Sequence, residues 1–350
     1  MAELRLLSNG LVTIGIAASS AAEPVMAKVA AFVAPYFTPV DGDLAQVNFT
    51  IAAASFTDLP AVWRERCRQP LTIRISSKTL FDLAALYGET ADGVVAAIDE
   101  RTGTAFVVDR ARRHINAYVG EASFVHLIEL IRYTALLIEE AAGTVLLHAS
   151  AVNTDNGTLL MLGEKHAGKT TTLLHLAFHQ GCKLLSGDKV LLRERVGELW
   201  VRGWPDYPHV GMGTLRGLPG LSDRLGVDDN GTDDLRKADS YKELIDPRRY
   251  REVVPHAADG QARNVIGIIF PKVSATERKV EAVPAAEVCI ESLAEFVEYP
   301  HQFTPGHWHG MYRGIARTEP AYDTVVLEHL VSVPWLRCHG GALVDWKEIV

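Results

Sequence analysis

The sequence has few cysteines, and none of them lies at a spacing typical of a metal or redox site. Cys67, Cys182, Cys289 and Cys338 are far apart along the chain, and no C-x-x-C pair occurs. Disulfide scaffolds and cysteine zinc sites depend on more closely patterned cysteines. We therefore expect reduced thiols and no disulfide framework.

An excess of positive charge is missing as well. The chain has 35 lysines and arginines against 43 aspartates and glutamates, which gives a formal net charge of −8. Such a chain has no long-range field that attracts nucleic acid or an anionic membrane. It also lacks an apolar run long enough to span a bilayer and the basic, then apolar, start of a secretory signal. We expect a cytoplasmic protein with no nucleic-acid or membrane partner, and the sequence leaves a homo-oligomer open.

Internal repeats and low-complexity tracts are absent too. Short strand-like and helix-like runs alternate instead, which predicts an α/β protein. Residues 1–122 are predicted to form a small α+β module of unassigned role. Within it, residues 71–75 have the alternation of a strand, residues 79–87 the spacing of a helix that ends at Gly88, and residues 105–119 the pattern of a β-hairpin.

The length of the chain favours two domains, and residues 123–350 are predicted to form the second. Residues 123–141 place apolar side chains on one helical face, with Ser123 as the expected N-cap. We interpret this helix as the connection between the two modules. Residues 205–263 are rich in Pro, Gly, Asp and Arg, which is typical of a long segment that faces a substrate.

One motif in the second domain carries chemistry of its own. It matches the phosphate-binding pattern G-x-x-x-x-G-K-S/T between a strand-like and a helix-like run, and it consists of Gly163, Glu164, Lys165, His166, Ala167, Gly168, Lys169 and Thr170. Its glycines let backbone N–H groups and the next helix N-terminus surround a phosphate. Lys169 is expected to neutralise phosphate oxygens, Thr170 to bind Mg²⁺, and Thr171 to complete the nucleotide-binding set. The motif predicts binding of ATP or a related nucleotide with Mg²⁺.

Two polar residues flank this motif at the ends of strand-like runs. His148 ends the run before the motif, and Asp188 ends the run after the following helix. If these strands are neighbours of the strand that enters the motif, both side chains lie near the phosphates. Asp188 could then hold the metal or accept a proton from an attacking hydroxyl, although an aspartate there is also a common turn former. For His148, a structural role and a functional role are both open.

The order of these features resembles the HPr kinase-like family, a branch of the P-loop kinases that is related to ATP-dependent phosphoenolpyruvate carboxykinases. The resemblance is strongest over residues 144–192 and looser over the rest of the second domain. It implies an HPr kinase C-terminal-like P-loop domain in which His148, Lys169 and Asp188 are catalytic. It also implies that Thr170 and Asp188 hold Mg²⁺.

The activity of this family implies transfer of the γ-phosphate of ATP to a hydroxyl, in the first place a serine of a peptide or protein. A kinase of a small-molecule hydroxyl, and an ATPase or switch that controls a partner protein, are the alternatives. The chain differs from the best-known members at Gly187-Asp188, where they have two consecutive acidic residues. Asp188 would therefore hold the metal and also accept the proton, unless another residue helps. The downstream motif of the bifunctional kinase/phosphorylases has no counterpart, which favours a relative with its own substrate, such as a peptide-modifying kinase.

Two further sets of polar residues could contribute. One basic residue after position 200 is expected to approach the transferring phosphate, and no signal selects among Arg202, Arg216, Lys242, Arg248, Arg249 and Arg251. His307-Trp308-His309 and Cys338-His339 lack a standard zinc spacing, so structural or surface roles are expected for them.

Overall fold

The computed structural model describes residues 3–42, 44–75, 81–227, 238–239, 241–257, 263–272, 279–304, 307–312 and 324–340. The protein is mixed α/β, as the sequence predicts, and its chain divides into two compact units. Unit 1 comprises Met1–Gly143 and Tyr299–Ala321, and unit 2 comprises Thr144–Glu298 and Tyr322–Val350. None of the helices in the described ranges is both long and apolar enough to cross a membrane.

Unit 1 combines a mixed sheet with helices. Its strands are β1 Arg5–Ser8, β2 Thr13–Ala18, β3 Thr38–Pro39, β4 Phe49–Ser55, β5 Gln69–Arg74, β6 Leu83–Glu89, β7 Val95–Asp99, β8 Thr104–Asp109 and β9 His114–Val119, and its helices are α1 Glu23–Val33, α2 Ala61–Arg66 and α3 Phe124–Ala141. The strand order is β3-β1-β2-β4-β9-β8-β7-β6-β5, with β2, β4 and β9 parallel to one another. Alternate residues of β4 and β9 are buried, as expected for strands with one face on a core.

The long helix α3 packs within unit 1. Residues 126–139 of this helix are all buried, and the ring of Phe124 packs edge-on against Phe32 of α1, with 5.9 Å between ring centroids. A helix that is apolar on most faces is stable only where it is covered on several sides. The division between the compact units therefore falls at 143/144, after α3, whereas the sequence suggested 122/123.

One local prediction in unit 1 is wrong, one is confirmed in part, and two are confirmed, among them the strand predicted at 71–75, which is β5. The stretch predicted as a helix forms strand β6, because β6 pairs in antiparallel ladders with both β5 and β7, and residues 79–80 lie outside the described ranges. A Cβ at Gly88 would lie 2.9 Å from the carbonyl group of Arg66, so glycine serves a close backbone approach there. Ser123 occupies the N-cap position of α3, as predicted, but its hydroxyl accepts from the N–H of Gly120 at 2.9 Å and makes no capping hydrogen bond. The hairpin predicted at 105–119 is confirmed by β8 and β9.

Unit 2 contains a second mixed sheet. Its strands are β10 Val145–Leu147, β11 Ser150–Asn153, β12 Thr158–Met161, β13 Lys183–Ser186, β14 Val190–Arg195, β15 Glu198–Gly203, β16 His209–Gly211, β17 Lys242–Leu244, β18 Arg263–Lys272, β19 Lys279–Ala282, β20 Val297–Glu298 and β21 Trp335–His339. Its helices are α4 Lys169–His179, α5 Met212–Gly217, α6 Leu221–Leu225, α7 Pro247–Val253, α8 Ile290–Ala294 and α9 Thr324–Ser332. The main order is β13-β11-β12-β18-β15-β14-β10-β20, with β21 beside β18 and β19 beside β21. Strands β16 and β17 form a separate two-stranded sheet.

The strand that leads to the predicted phosphate-binding loop is held on both sides. All four residues of β12 are buried, and β12 pairs in parallel with β18 and in antiparallel with β11. Helix α4 returns over this sheet and buries Leu173 and Leu174 in one cluster with Met161. Within the predicted substrate-facing segment, the described parts form β16, α5, α6, β17 and α7.

Candidate functional site

The loop 163–168 joins β12 to the start of α4. The backbone turns through positive φ at Gly163 (143°), His166 (69°) and Gly168 (111°), and glycine reaches such angles at low cost. The N–H of Leu162 donates to the carbonyl of Ile269 at 2.9 Å, so strand pairing continues to the edge of the loop. Gly168 precedes α4 without a side-chain cap. The first-turn N–H groups of this 11-residue helix therefore face the loop, which makes this end favourable for an anion.

The side chain of Lys169 folds back over the loop. Its Nζ donates to the carbonyl oxygens of Gly163 at 2.6 Å and Glu164 at 3.3 Å. Burial is the largest cause that lowers the pKa of Lys169, and the carboxylate of Asp188 opposes this effect. The ammonium group thus lies at the mouth of the loop, where it can contact a bound anion.

The remaining loop residues divide into exposed and anchored ones. Glu164, Lys165 and His166 are exposed. The hydroxyl of Thr170 has no hydrogen-bond partner among the residues that the structure describes. Thr171 Oγ1 lies 2.7 Å from Thr214 Oγ1 in α5, so this hydroxyl, predicted to bind nucleotide, is hydrogen-bonded within the protein.

The structure brings His148 and Asp188 together. His148 follows β10, where its N–H donates to the carbonyl of Phe296 at 2.7 Å, and Asp188 follows β13. The distance between His148 Nε2 and Asp188 Oδ1 is 3.4 Å. The strands responsible are not those expected, because β10 pairs with β14 and β20 while β12 pairs with β11 and β18.

Two charged residues that the sequence did not single out complete this cluster. His148 Nδ1 lies 3.2 Å from Glu298 Oε1 at the edge strand β20. The ammonium of Lys189 forms an ion pair with Glu298, and its Nζ lies 3.7 Å from Asp188 Oδ2. Lys189 follows Asp188 directly and could have been suspected for that reason, whereas Glu298 lies in a two-residue strand that has no sequence signal.

The charges of the cluster keep both carboxylates ionised. Burial raises the pKa of Asp188, but the cations of Lys189, His148, Lys169 and Lys242 lower it by more, so the net shift is downward. Burial likewise raises the pKa of Glu298, and the hydrogen bond from His148 together with the charge of Lys189 outweighs it. Both ring nitrogens of His148 thus face carboxylate oxygens, which only accept hydrogen bonds.

The turn that carries Asp188 is fixed by hydroxyl groups. Ser150 Oγ donates to the carbonyl of Gly187 at 2.6 Å, and Ser186 Oγ donates to the carbonyl of Lys189. A Cβ at Gly187 would meet nothing within 4 Å. The absence of an acid at Gly187 is therefore not imposed by a lack of space.

The basic candidates differ in their surroundings. Lys242 interacts electrostatically with Lys169 and Asp188. Arg216 instead pairs with the exposed Asp239 at 2.8 Å, and Arg249 lies 3.4 Å from Glu252. Of these three, Lys242 is the one whose charge acts on the site.

The residues with predicted structural or surface roles differ in burial, with His307 and His339 half-buried. Trp308 and His309 are buried in unit 1, where His309 Nε2 lies 3.4 Å from Thr134 Oγ1. Cys338 is a buried residue of β21. In the described ranges there is no group of three or more His, Cys, Asp or Glu residues that could hold a metal ion by itself.

No model of a known protein family matches this chain. No curated protein matches it significantly either.

Proposed function

We propose that the protein is an ATP-dependent phosphotransferase of the HPr kinase-like type, with residues 144–298 as the core of its P-loop kinase domain. It transfers the γ-phosphate to a hydroxyl, in the first place a serine of a peptide or protein. The observations that support this proposal are the uncapped N-terminus of α4 behind the loop, the ammonium of Lys169 folded over it, and the ionised Asp188, which lies beside His148 and interacts electrostatically with Lys169. Phosphoryl transfer depends on groups that position the phosphates and on a residue that orients the attacking hydroxyl, and in this proposal the loop with Lys169 and the carboxylate of Asp188 take these roles.

The charge balance of the site supports a polyanionic ligand. Three lysines, Lys169, Lys189 and Lys242, act on the two carboxylates Asp188 and Glu298. This leaves at least one excess positive charge before His148 is counted. A nucleotide polyphosphate offsets such an excess and benefits from the backbone N–H groups of the loop.

The oxygen donors of the site fit Mg²⁺. Thr170 offers a hydroxyl that no described residue engages, and Asp188 offers an ionised carboxylate that is 42% exposed. Mg²⁺ typically takes one or two such protein oxygens and completes its octahedron with water and substrate phosphates. When bound, it would neutralise charge on the phosphate oxygens during transfer.

Asp188 is the group that receives the proton of the acceptor hydroxyl in this proposal. Its lowered pKa keeps it ionised near neutral pH, so it accepts a hydrogen bond from an incoming hydroxyl. The loose transition state of phosphoryl transfer needs positioning more than a strong base. His148, held by Glu298, orients the Asp188 carboxylate from the other side.

The experiment is incubation of the full chain with γ-labelled ATP, Mg²⁺ and a library of serine-containing peptides. We expect label in peptide serine. Label only in free phosphate would overturn the kinase function in favour of an ATPase or switch, and label only in added small alcohols would overturn the peptide acceptor.

Site variants test the assignment of roles. We expect Lys169→Ala to abolish ATP binding, and Asp188→Asn to bind ATP but lower transfer by roughly 100-fold or more, because the proton acceptor and metal ligand are lost. Lys183→Ala, which removes an exposed lysine from the start of β13, is the matched control and should behave as the unaltered chain. Full transfer by Asp188→Asn would contradict the proposed role.

A further inference from the structure

The two-stranded sheet of β16 and β17 shares a hydrophobic cluster with α4, through Val210 of β16. Gly211 pairs with Lys242 in its ladder, and α5 begins at the next residue, Met212, whose N–H donates to the carbonyl of Tyr241 at 2.8 Å. Met212 is fully buried in the same cluster as residues of α4. The position of Lys242 at the start of β17 is thus tied to α5 and, through the core, to α4.

A side-chain hydrogen bond adds a second tie at the level of the loop. Thr214, in the first turn of α5, is 7% exposed, and its Oγ1 lies 2.7 Å from Oγ1 of Thr171. Thr171 is two residues after Lys169. The loop that carries Lys169 is therefore connected to the two-stranded sheet that carries Lys242. The connection runs through the hydrogen bond of Thr171 with Thr214 and the pairing of Gly211 with Lys242.

Lys242 brings a further positive charge to the surroundings of Lys169 and Asp188. In the described part of the chain, Lys242 forms no ion pair, and its ammonium acts on Lys169 as well as on Asp188. Two ammonium groups that approach one site repel each other, and an anion between them removes this cost. Under the proposed function, the transferring phosphate of the nucleotide is such an anion, because both Lys169 and the proton acceptor Asp188 interact electrostatically with Lys242.

We propose that Lys242 is a second phosphate-binding cation that contacts the γ-phosphate. In this proposal Thr214 is a positioning residue that holds the two-stranded sheet of β16 and β17 against the loop. This inference rests on the proposed function and deepens it. It assigns to a lysine of the same chain the charge stabilisation that an arginine finger supplies elsewhere.

The test compares ATP with ADP, in the presence of Mg²⁺, by calorimetric titration of the full chain. If Lys242 contacts the γ-phosphate, Lys242→Ala weakens ATP binding by about 10- to 100-fold, the range for a hydrogen bond to a charged group, and changes ADP binding by less than about 2-fold. Lys183→Ala is again the control. Equal ATP affinities in Lys242→Ala and the unaltered chain, or equal losses for ATP and ADP, would overturn the inference while ATP binding itself stands. No ATP binding by the unaltered chain would overturn the proposed function as well.

The positioning role of Thr214 has its own measurement. Thr214→Val removes the hydroxyl at nearly constant volume, and Thr214→Ser keeps it. We expect the ratio of ATP to ADP affinity to fall in the valine variant and to be retained in the serine variant, with the thermal unfolding of both measured in parallel. An unchanged ratio in a folded valine variant refutes the positioning role, and an equally low ratio in both variants does so too.

Discussion

Glu298→Gln is the substitution that tests the buried charge cluster most directly. Glu298 forms an ion pair with Lys189 and lies 3.2 Å from the Nδ1 atom of His148. The side chains of Lys189 and Glu298 are 8% and 17% exposed, so water screens this pair poorly. Glutamine keeps the shape of the side chain and removes its charge, which leaves a buried ammonium without its main counterion.

The size of the effect follows from burial. Loss of one partner from a buried ion pair costs about 3–5 kcal/mol, because the remaining charge stays desolvated. Asp188 remains 3.7 Å from the ammonium of Lys189, so we expect the lower end, about 3 kcal/mol. For a folding unit of about 150–250 residues, the size range of unit 2, that loss corresponds to a decrease of roughly 6–12 °C in melting temperature.

The assay is differential scanning calorimetry at pH 7. The matched control is Glu287→Gln, which breaks the ion pair of Glu287 with Arg337. The side chains of Glu287 and Arg337 are 49% and 37% exposed, and surface ion pairs of this kind contribute at most about 1 kcal/mol. Lys189→Met in the Glu298→Gln background removes the ammonium that has lost the charge of Glu298 and should restore part of the stability. A melting temperature of Glu298→Gln within about 1 °C of the unaltered chain would refute the reasoning.

The sign of the pH dependence is set by the lowered pKa of Glu298. A carboxyl whose pKa is lower in the folded than in the unfolded chain stabilises the fold above the unfolded value and loses this contribution as pH falls through the folded value. The difference in stability between the unaltered chain and Glu298→Gln should therefore shrink in acid. A difference that grows below pH 4 would contradict the assignment of charge.

Further predictions concern stability. Burial lowers the pKa of His309 from 6.5 to about 3. The free energy of unfolding of unit 1, measured by urea titration, should therefore fall by about 2 kcal/mol between pH 7 and pH 5. His309→Asn should reduce this dependence on pH. Gly157→Ala should cost about 1–3 kcal/mol by overpacking, since its Cβ would lie 2.5 Å from Ile266 Cγ2 at a φ of +156°; Gly181→Ala, with φ +70° and open space, should cost less. Gly187→Asp should melt as the unaltered chain does, because nothing lies within 4 Å of the new Cβ; a large loss would show that the turn excludes a second acid.

The geometry of the loop was predictable from sequence because its determinants are contiguous. The predicted order of strand, loop and helix is present as β12, residues 163–168 and α4. Glycine at 163 and 168 fits positive φ values that other residues adopt only with strain. The same locality explains the confirmed hairpin of β8 and β9, whose turn and flanking strands lie within 16 residues of one another.

Predictions that depended on pairing between distant segments were less accurate. The stretch with helical spacing before Gly88 became strand β6, because two neighbouring strands offered backbone hydrogen bonds, and tertiary context overrides weak local preference. His148 and Asp188 were expected to meet through strands next to β12. They do meet, but through the pairing of β10 with β14 and the turn after β13.

The sequence by itself determined the G-x-x-x-x-G-K-T motif, the α/β class and the two polar residues that follow strands near it, because these depend on patterns within a few residues. Only the tertiary structure decided that Glu298, 150 residues after His148, holds it from the second side, and that Lys242 acts on Lys169 and Asp188. The division after α3 was likewise decided by packing. Contacts of this kind arise from chain reversal and burial, which no local pattern specifies.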